Sequence, residues 1–175
     1  DFGTTNLLGK IDYAATAADT FTLTTEHLDK RAKTDLLSEH TATVQDSVGA
    51  DRSQRWRVSL EHVHDAPIGF VDRLEWRVYY TSVDRSEDTY QLRAATDGLR
   101  ERFSKFLFNQ EILGAQLQME SRFATGGLKH TLTYGLGIDH TETSRPRDRY
   151  EVSLATGAIS RSFSGGPGVP LEVFP

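Results

Sequence analysis

The stretch Arg55-Trp56-Arg57-Val58-Ser59-Leu60-Glu61 switches between polar and apolar side chains at every residue. Successive side chains of a β-strand point to opposite faces, so Trp56, Val58 and Leu60 are predicted to share one face. Residues 74–80 repeat the pattern with Leu74, Trp76, Val78 and Tyr80. Residues 7–15, 115–123 and 128–138 also alternate, and residues 20–31 do so more weakly. The sequence therefore predicts an all-β chain, an antiparallel up-and-down meander of about six long strands.

Composition narrows the functional classes. The 175 residues carry 20 Lys+Arg against 25 Asp+Glu, a net charge of -5, so a nucleic-acid partner is not expected. The chain has no cysteine, which excludes disulfides, thiolate metal sites and thiol catalysis. Mean hydropathy is -0.48 and no long apolar run occurs, so no transmembrane helix is expected. A membrane β-barrel remains compatible with these values because its strands alternate apolar and polar residues.

The predicted connections alternate between short and long. Short turns are predicted at residues 16–19, 65–69 and 124–127, and long polar loops at 34–53, 84–99 and from 141 to the end. A meander then places every short turn at one end and every long loop at the other, which is typical of outer-membrane barrels. The alternative is a soluble β-sandwich or binding module. That alternative requires Trp56, Trp76, Leu132 and Tyr134 to be buried against a second layer.

About six strands are too few to close a membrane barrel, so residues 1–175 are expected to form one section of a larger barrel without an internal domain boundary. The first and last residues also suggest a piece of a longer chain. Aromatic residues on the apolar face are expected to meet the membrane interface near the short turns. The opposite, polar face is expected to line the lumen. The residues predicted to face the lumen are Arg57, Glu75, Arg77, Glu120 and Arg122.

Four segments resemble a known family: residues 6–13, 34–38, 123–138 and 143–148. They are similar to strands and loops of TonB-dependent outer-membrane receptors, nearest to the haem and haemoglobin branch related to the transferrin and lactoferrin receptors. The resemblance implies a plugged barrel of about 22 strands in the bacterial outer membrane. It implies import of haem or another ferric carrier as a transported ligand rather than a covalently bound cofactor. A siderophore receptor of the same superfamily is the alternative.

The resemblance also implies partners: outer-membrane lipid, the TonB complex acting through a plug, and haem, a haem protein or a siderophore. The chain departs from the family pattern in two respects. It contains no recognisable TonB box or plug domain. The loop in which haem receptors carry a ligand histidine near a Phe-Arg-Ala-Pro motif is not recognisable, so no haem ligand is carried over.

Four residues are candidates for ligand binding in extracellular loops. His40 lies in the first long loop and His140 begins the last, and a neutral imidazole can bind haem iron. Arg145 and Arg147 can pair with carboxylate or phosphate. The alternative for all four is an exposed, solvated loop residue.

No metal site and no enzymatic activity are expected. His62 and His64 have a metal-like spacing but no evident third ligand, so turn residues are the simpler interpretation. Asp84, Glu87 and Asp88 lack a partner framework. No nucleophile, base and orienting group occur together in the pattern.

Overall fold

The computed structural model describes residues 1–161, which fold into a single antiparallel sheet of eight strands. The strands are β1 (Phe2–Ala14), β2 (Asp19–Asp35), β3 (Val44–His64), β4 (Arg73–Ala95), β5 (Gly98–Thr125), β6 (Leu128–Ser144), β7 (Arg147–Ser153) and β8 (Ile159–Arg161). A short 3-10 turn, Leu37–Glu39, lies between β2 and β3. The predicted all-β meander of about six long strands is confirmed, with β7 and β8 as two short additions.

Each of the first five strands pairs with the next along the chain. Both β6 and β7 pair with β5, and they keep one register, with Ser144 opposite Asn109 and Arg147 opposite Phe106. Between them the Leu107 N–H donates to the Pro146 carbonyl at 2.9 Å. Thus β6 and β7 follow one line along β5, interrupted where Pro146 has no N–H to donate. The sheet does not close on itself.

The prediction of long polar loops is wrong for most of their length. Residues 84–99 form a paired hairpin in which β4 runs to Ala95 and β5 starts at Gly98. Residues 44–53 belong to β3, and residues 141–144 extend β6. Polar side chains on both faces remove the hydrophobic alternation there, while the backbone ladder continues. Of the last predicted loop, residues 162–175 lie outside the described residues.

The sheet has two unlike ends. At the turn end, residues 15–18, residues 65–72 and the pair Gly126-Gly127 connect the strands. Gly126 and Gly127 have φ of 55° and 84°, which suits the two-residue turn that matches strand twist. At the far end β3, β4 and β5 continue past the first two strands, and β4 and β5 meet in the 84–99 hairpin. The end-to-end asymmetry therefore lies in strand length rather than in loop length.

The sheet is one layer, with no second layer over either face among residues 1–161. The buried hydrophobic side chains of this part are Val44 and Val71. Trp56 is 50% exposed and Leu132 is 53% exposed, while Trp76 and Tyr134 are partly covered within the sheet. The burial that a soluble sandwich requires for these four side chains is absent from the described residues.

Candidate functional site

The cross-strand register assigns every strand residue to one of two faces. Residues directly opposite each other share a face, and neighbours along a strand do not. Glu61 lies opposite Arg77, which lies opposite Gln116, and Glu75 lies opposite Gln118. By this register all five residues predicted to face a lumen lie on one side, which we call the polar face: Arg57, Glu75, Arg77, Glu120 and Arg122.

Several charged side chains on the polar face bind neighbouring side chains across and along the strands. An Arg55 amino group donates to the Glu26 carboxylate at 2.7 Å, and Arg77 donates to the side-chain amide oxygen of Gln116 at 2.6 Å. Arg122 donates to Glu120 at 2.6 Å. Charges of both signs are present, so the surface is hydrophilic.

A groove of about 520 Å³ crosses the polar face between β4, β5 and β6, lined in part by Arg77, Gln116 and Gly137. Beside it the Tyr79 ring lies across Gly114, and its hydroxyl donates to Asp139. A Cβ on Gly114 would lie 2.3 Å from Tyr79 Cζ, so only glycine leaves room for this ring. The Tyr79 ring thus lies flat on the sheet instead of projecting from it.

The opposite surface, which we call the apolar face, carries Trp56, Val58, Leu60, Trp76 and Val78. Its central row crosses all six long strands without a charged residue. The members of that row are Ile11, Leu23, Leu60, Val78, Ala115 and Ile138. Most of these side chains are exposed. A contiguous, uncovered apolar surface of this extent marks a contact with lipid or with another protein.

Aromatic and histidine rings border this apolar band on both sides. Toward the turn end, Tyr13, Phe21, His62 and Trp76 form one cross-strand row, with 4.3 Å between the Phe21 and His62 ring centres. Toward the far end, Trp56 stacks on His27 at 4.1 Å. The rows are six residues apart along β3, or about 20 Å. Sequence reasoning placed the rings near the short turns and missed the second row.

The apolar band runs obliquely across the strands. On β1 its exposed apolar residues extend from Leu7 to Tyr13, and on β6 from Leu128 to Ile138. Leu7 lies in the row of Trp56, whereas Ile138 lies in the row of Leu60. From β1 to β6, the limit of the band nearer the far end therefore moves about four residues toward the turn end. The limit nearer the turn end moves about eight residues in the same direction. In a sheet whose strands are tilted by about 40° and spaced about 4.8 Å apart, a horizontal layer crosses each strand at a different residue. Over the five intervals from β1 to β6 this shift amounts to about six residues.

Beyond Trp56, toward the far end, the same face becomes polar. The next row contains Asp29, Gln54, Asp84 and Asn109. The Asp29 carboxylate accepts from Arg31 at 2.8 Å and from Arg52 at 3.2 Å. The change from apolar to polar side chains occurs on continuous strands, so it is not caused by an end of the sheet.

The two candidate histidines do not meet. His40 follows the 3-10 turn, exposed at the far end, with its Nε2 3.9 Å from the Asp46 carboxylate. His140 was expected in a loop and lies instead on β6, opposite Leu113 and 3.2 Å from Glu142. The structure therefore brings no pair of imidazoles together from these two positions.

Arg145 and Arg147 are also not free loop residues. Arg147 begins β7 and Arg145 precedes it by two residues, so both side chains reach the polar face. The Arg145 guanidinium lies 5.4 Å from the ring centre of Phe108, and that of Arg147 lies 5.5 Å from Phe106. Sequence reasoning missed both phenylalanines, although the alternation of Phe106 and Phe108 in β5 was a visible signal.

His62 and His64 share the carboxylate of Asp19. The Asp19 Oδ1 atom lies 3.0 Å from His62 Nε2 and 2.7 Å from His64 Nδ1. Thr16 donates to the second Asp19 oxygen at 2.6 Å. Residues 1–161 hold no group of three or more histidine, aspartate or glutamate side chains arranged to hold a metal ion.

Comparison with known proteins adds no assignment: no protein-family model matches the chain, and no curated protein matches its sequence. No helix among residues 1–161 has the length and apolar character needed to cross a membrane.

Proposed function

We propose that the chain forms part of the wall of a bacterial outer-membrane β-barrel, with the apolar face in lipid and the polar face toward a hydrated lumen. The observation that carries this proposal is the uncovered apolar band bordered by rings on both sides. Each apolar side chain left in water costs about 25 cal/mol per Å² relative to burial, so a band across six strands needs a cover. A bilayer supplies that cover without any further protein layer.

Strand lengths agree with this placement. The 23 residues of β4 extend about 75 Å, more than twice the roughly 30 Å of a hydrocarbon core. The far-end hairpin therefore stands outside the bilayer, where polar residues on both faces meet water. The oblique course of the band supports the same placement, because strands of membrane barrels are tilted and a level bilayer crosses them diagonally.

The open edges support a section of a larger barrel. The outer edge of β1 and the outer edge of β6 have no strand partner among residues 1–161. An unpaired backbone edge in hydrocarbon costs several kcal/mol per unsatisfied group, so further strands must continue the ladder on both sides. Six of the eight strands are long enough to span a bilayer, and membrane barrels have at least about eight spanning strands.

The finer assignment is a TonB-dependent receptor that imports haem or another iron carrier, and it rests on the resemblance of the strand segments. In that function the chain supplies wall and loops, without catalysis. The polar face, which carries charges of both signs, provides a wet surface against which a plug can pack and later move. The far-end hairpin and the 36–43 connection face outward and meet the arriving ligand.

Fractionation and iron-limited growth test the two levels of this proposal separately. In a Gram-negative host, the polypeptide that carries this chain is expected in the outer-membrane fraction after a carbonate wash. Release by carbonate would refute the wall assignment. Growth on haem as sole iron source is expected to require both this polypeptide and TonB. Growth on a ferric siderophore alone would select the siderophore alternative, and independence from TonB would refute the receptor assignment.

A further inference from the structure

A second groove on the polar face, near the far end, combines apolar walls with free cationic groups. It has a volume of about 470 Å³ and lies among β4, β5 and β7. Its lining residues include Val83, Arg85, Phe106, Phe108, Arg145 and Arg147. A volume of this size falls within the range of roughly 300–1,000 Å³ that small-molecule sites occupy.

Only one of the three arginines in this groove is neutralised. Arg85 pairs with Glu87 at 2.6 Å. Neither Arg145 nor Arg147 has a carboxylate partner within residues 1–161. The nearest acid in sequence, Asp148, lies on the opposite face, where Lys105 is its register partner, because strand alternation turns it away. The groove therefore presents two unpaired guanidinium groups.

The spacing of these two groups defines what they can hold. Arg145 and Arg147 are two residues apart on one extended line, so their attachment points are about 7 Å apart. Phe108 and Phe106 support the two guanidinium planes from below. Guanidinium binds a carboxylate through two parallel hydrogen bonds, and an aromatic body gains by stacking on these planes and on the phenylalanines.

We propose that this groove binds a small organic dianion with a flat aromatic body, one anionic group on each of Arg145 and Arg147. The groove lies on the polar face, so the inference does not rest on where the apolar face is placed. The apolar walls distinguish this ligand from a simple inorganic anion, for which Val83, Phe106 and Phe108 would offer nothing. The short spacing distinguishes it from a long acidic peptide, which would need cations along a whole edge.

Fluorescence titration with naphthalene-2,6-dicarboxylate tests the proposal on the polypeptide that carries this chain. Saturable binding is expected, weakened at least tenfold by Arg145→Gln and by Arg147→Gln, and less strongly by Arg147→Lys, which keeps the charge but loses the two-bond geometry. Asp148→Asn, on the opposite face of the same strand, is the matched control and is expected to change affinity less than twofold. Both arginines are exposed, so their replacement leaves the sheet intact.

Two further probes separate the parts of the ligand. Adipate offers two carboxylates without a ring, and 2-naphthoate offers the ring with one carboxylate. Each is expected to bind at least tenfold more weakly than the dicarboxylate. Equal binding of adipate, absence of saturable binding, or unchanged affinity in both glutamine variants would each overturn the proposal. Recovery of these variants in the outer-membrane fraction shows that a failed titration concerns the groove and not the wall assignment.

Discussion

Ser59 and Leu60 are adjacent in β3, yet they lie in opposite kinds of surface. Ser59 is on the polar face beside Arg57 and Glu61 and lies opposite Thr24 and Tyr79. Leu60 lies in the central apolar row, where no charged side chain occurs. Both surfaces are open to the surroundings, so the difference does not arise from a protein core. The proposed placement, with lipid on one side of the sheet and water on the other, accounts for this difference without a further protein layer.

The largest expected effect contrasts these two neighbours. In lipid vesicles, Leu60→Arg in the polypeptide that carries the chain is expected to lower the free energy of unfolding by about 2–4 kcal/mol, because it places a charge near the middle of the bilayer. Ser59→Arg, one residue away, is expected to change it by less than about 0.5 kcal/mol. Urea titration of both variants measures the difference. Equal costs would mean that the two faces share one environment.

A smaller effect concerns packing on the polar face alone. Gly114→Ala is expected to cost about 1–3 kcal/mol, because the new Cβ would stand 2.3 Å from the Tyr79 ring. Gly137→Ala is the matched control on the same face, since its nearest neighbour would be Gln116 Cγ at 3.4 Å. Thermal unfolding of the two variants compares them. A harmless Gly114→Ala would show that Tyr79 does not lie flat on the sheet.

The smallest effect is a pH dependence at the far end, outside the proposed bilayer. Hydrogen bonds from Ser47, at 2.7 Å, and from Gln91, at 2.8 Å, lower the pKa of Glu39 below its ordinary 4.5. A lowered carboxyl pKa means that this stabilisation is complete above pH 4.5 and is lost as pH falls through the lower, folded value.

Amide exchange of residues 36–47 is therefore expected to quicken as the pH falls below 4.5, after correction for intrinsic exchange. Glu39→Gln is expected to remove that pH dependence. A pH dependence that persists in Glu39→Gln would assign it to another group. Because the Glu39 side chain is largely solvated, the change is expected to be modest.

The two faces could be predicted from sequence because the alternation of side chains along a strand is a local property. Once Trp56, Val58 and Leu60 are known to share a side, the period of two assigns Arg57 and Glu61 to the other side without knowledge of the partners. Arg77 and Glu120 follow in the same way from their own strands. These assignments depend only on the chain direction within one strand.

The far end could not be predicted in this way. Residues 84–99 carry polar groups on both faces, so hydrophobic periodicity is absent where the ladder continues. The Asp97-Gly98 dipeptide was the remaining signal of a tight hairpin there. The groove at Arg145 and Arg147 depends on the register of β7 against β5, which brings distant residues together and which no local pattern specifies.

Nitroxide scanning of residues 55–62 tests the central claim most directly, since the cysteine-free chain allows single cysteines at each position. In membrane vesicles the account predicts that labels at positions 56, 58 and 60 are relaxed by oxygen, which concentrates in lipid. Labels at positions 55, 57 and 59 are predicted to be relaxed by a water-soluble nickel chelate. Two alternating profiles in opposite phase support a lipid face and a water face. Relaxation by the nickel chelate at positions 56, 58 and 60 as well would contradict the account.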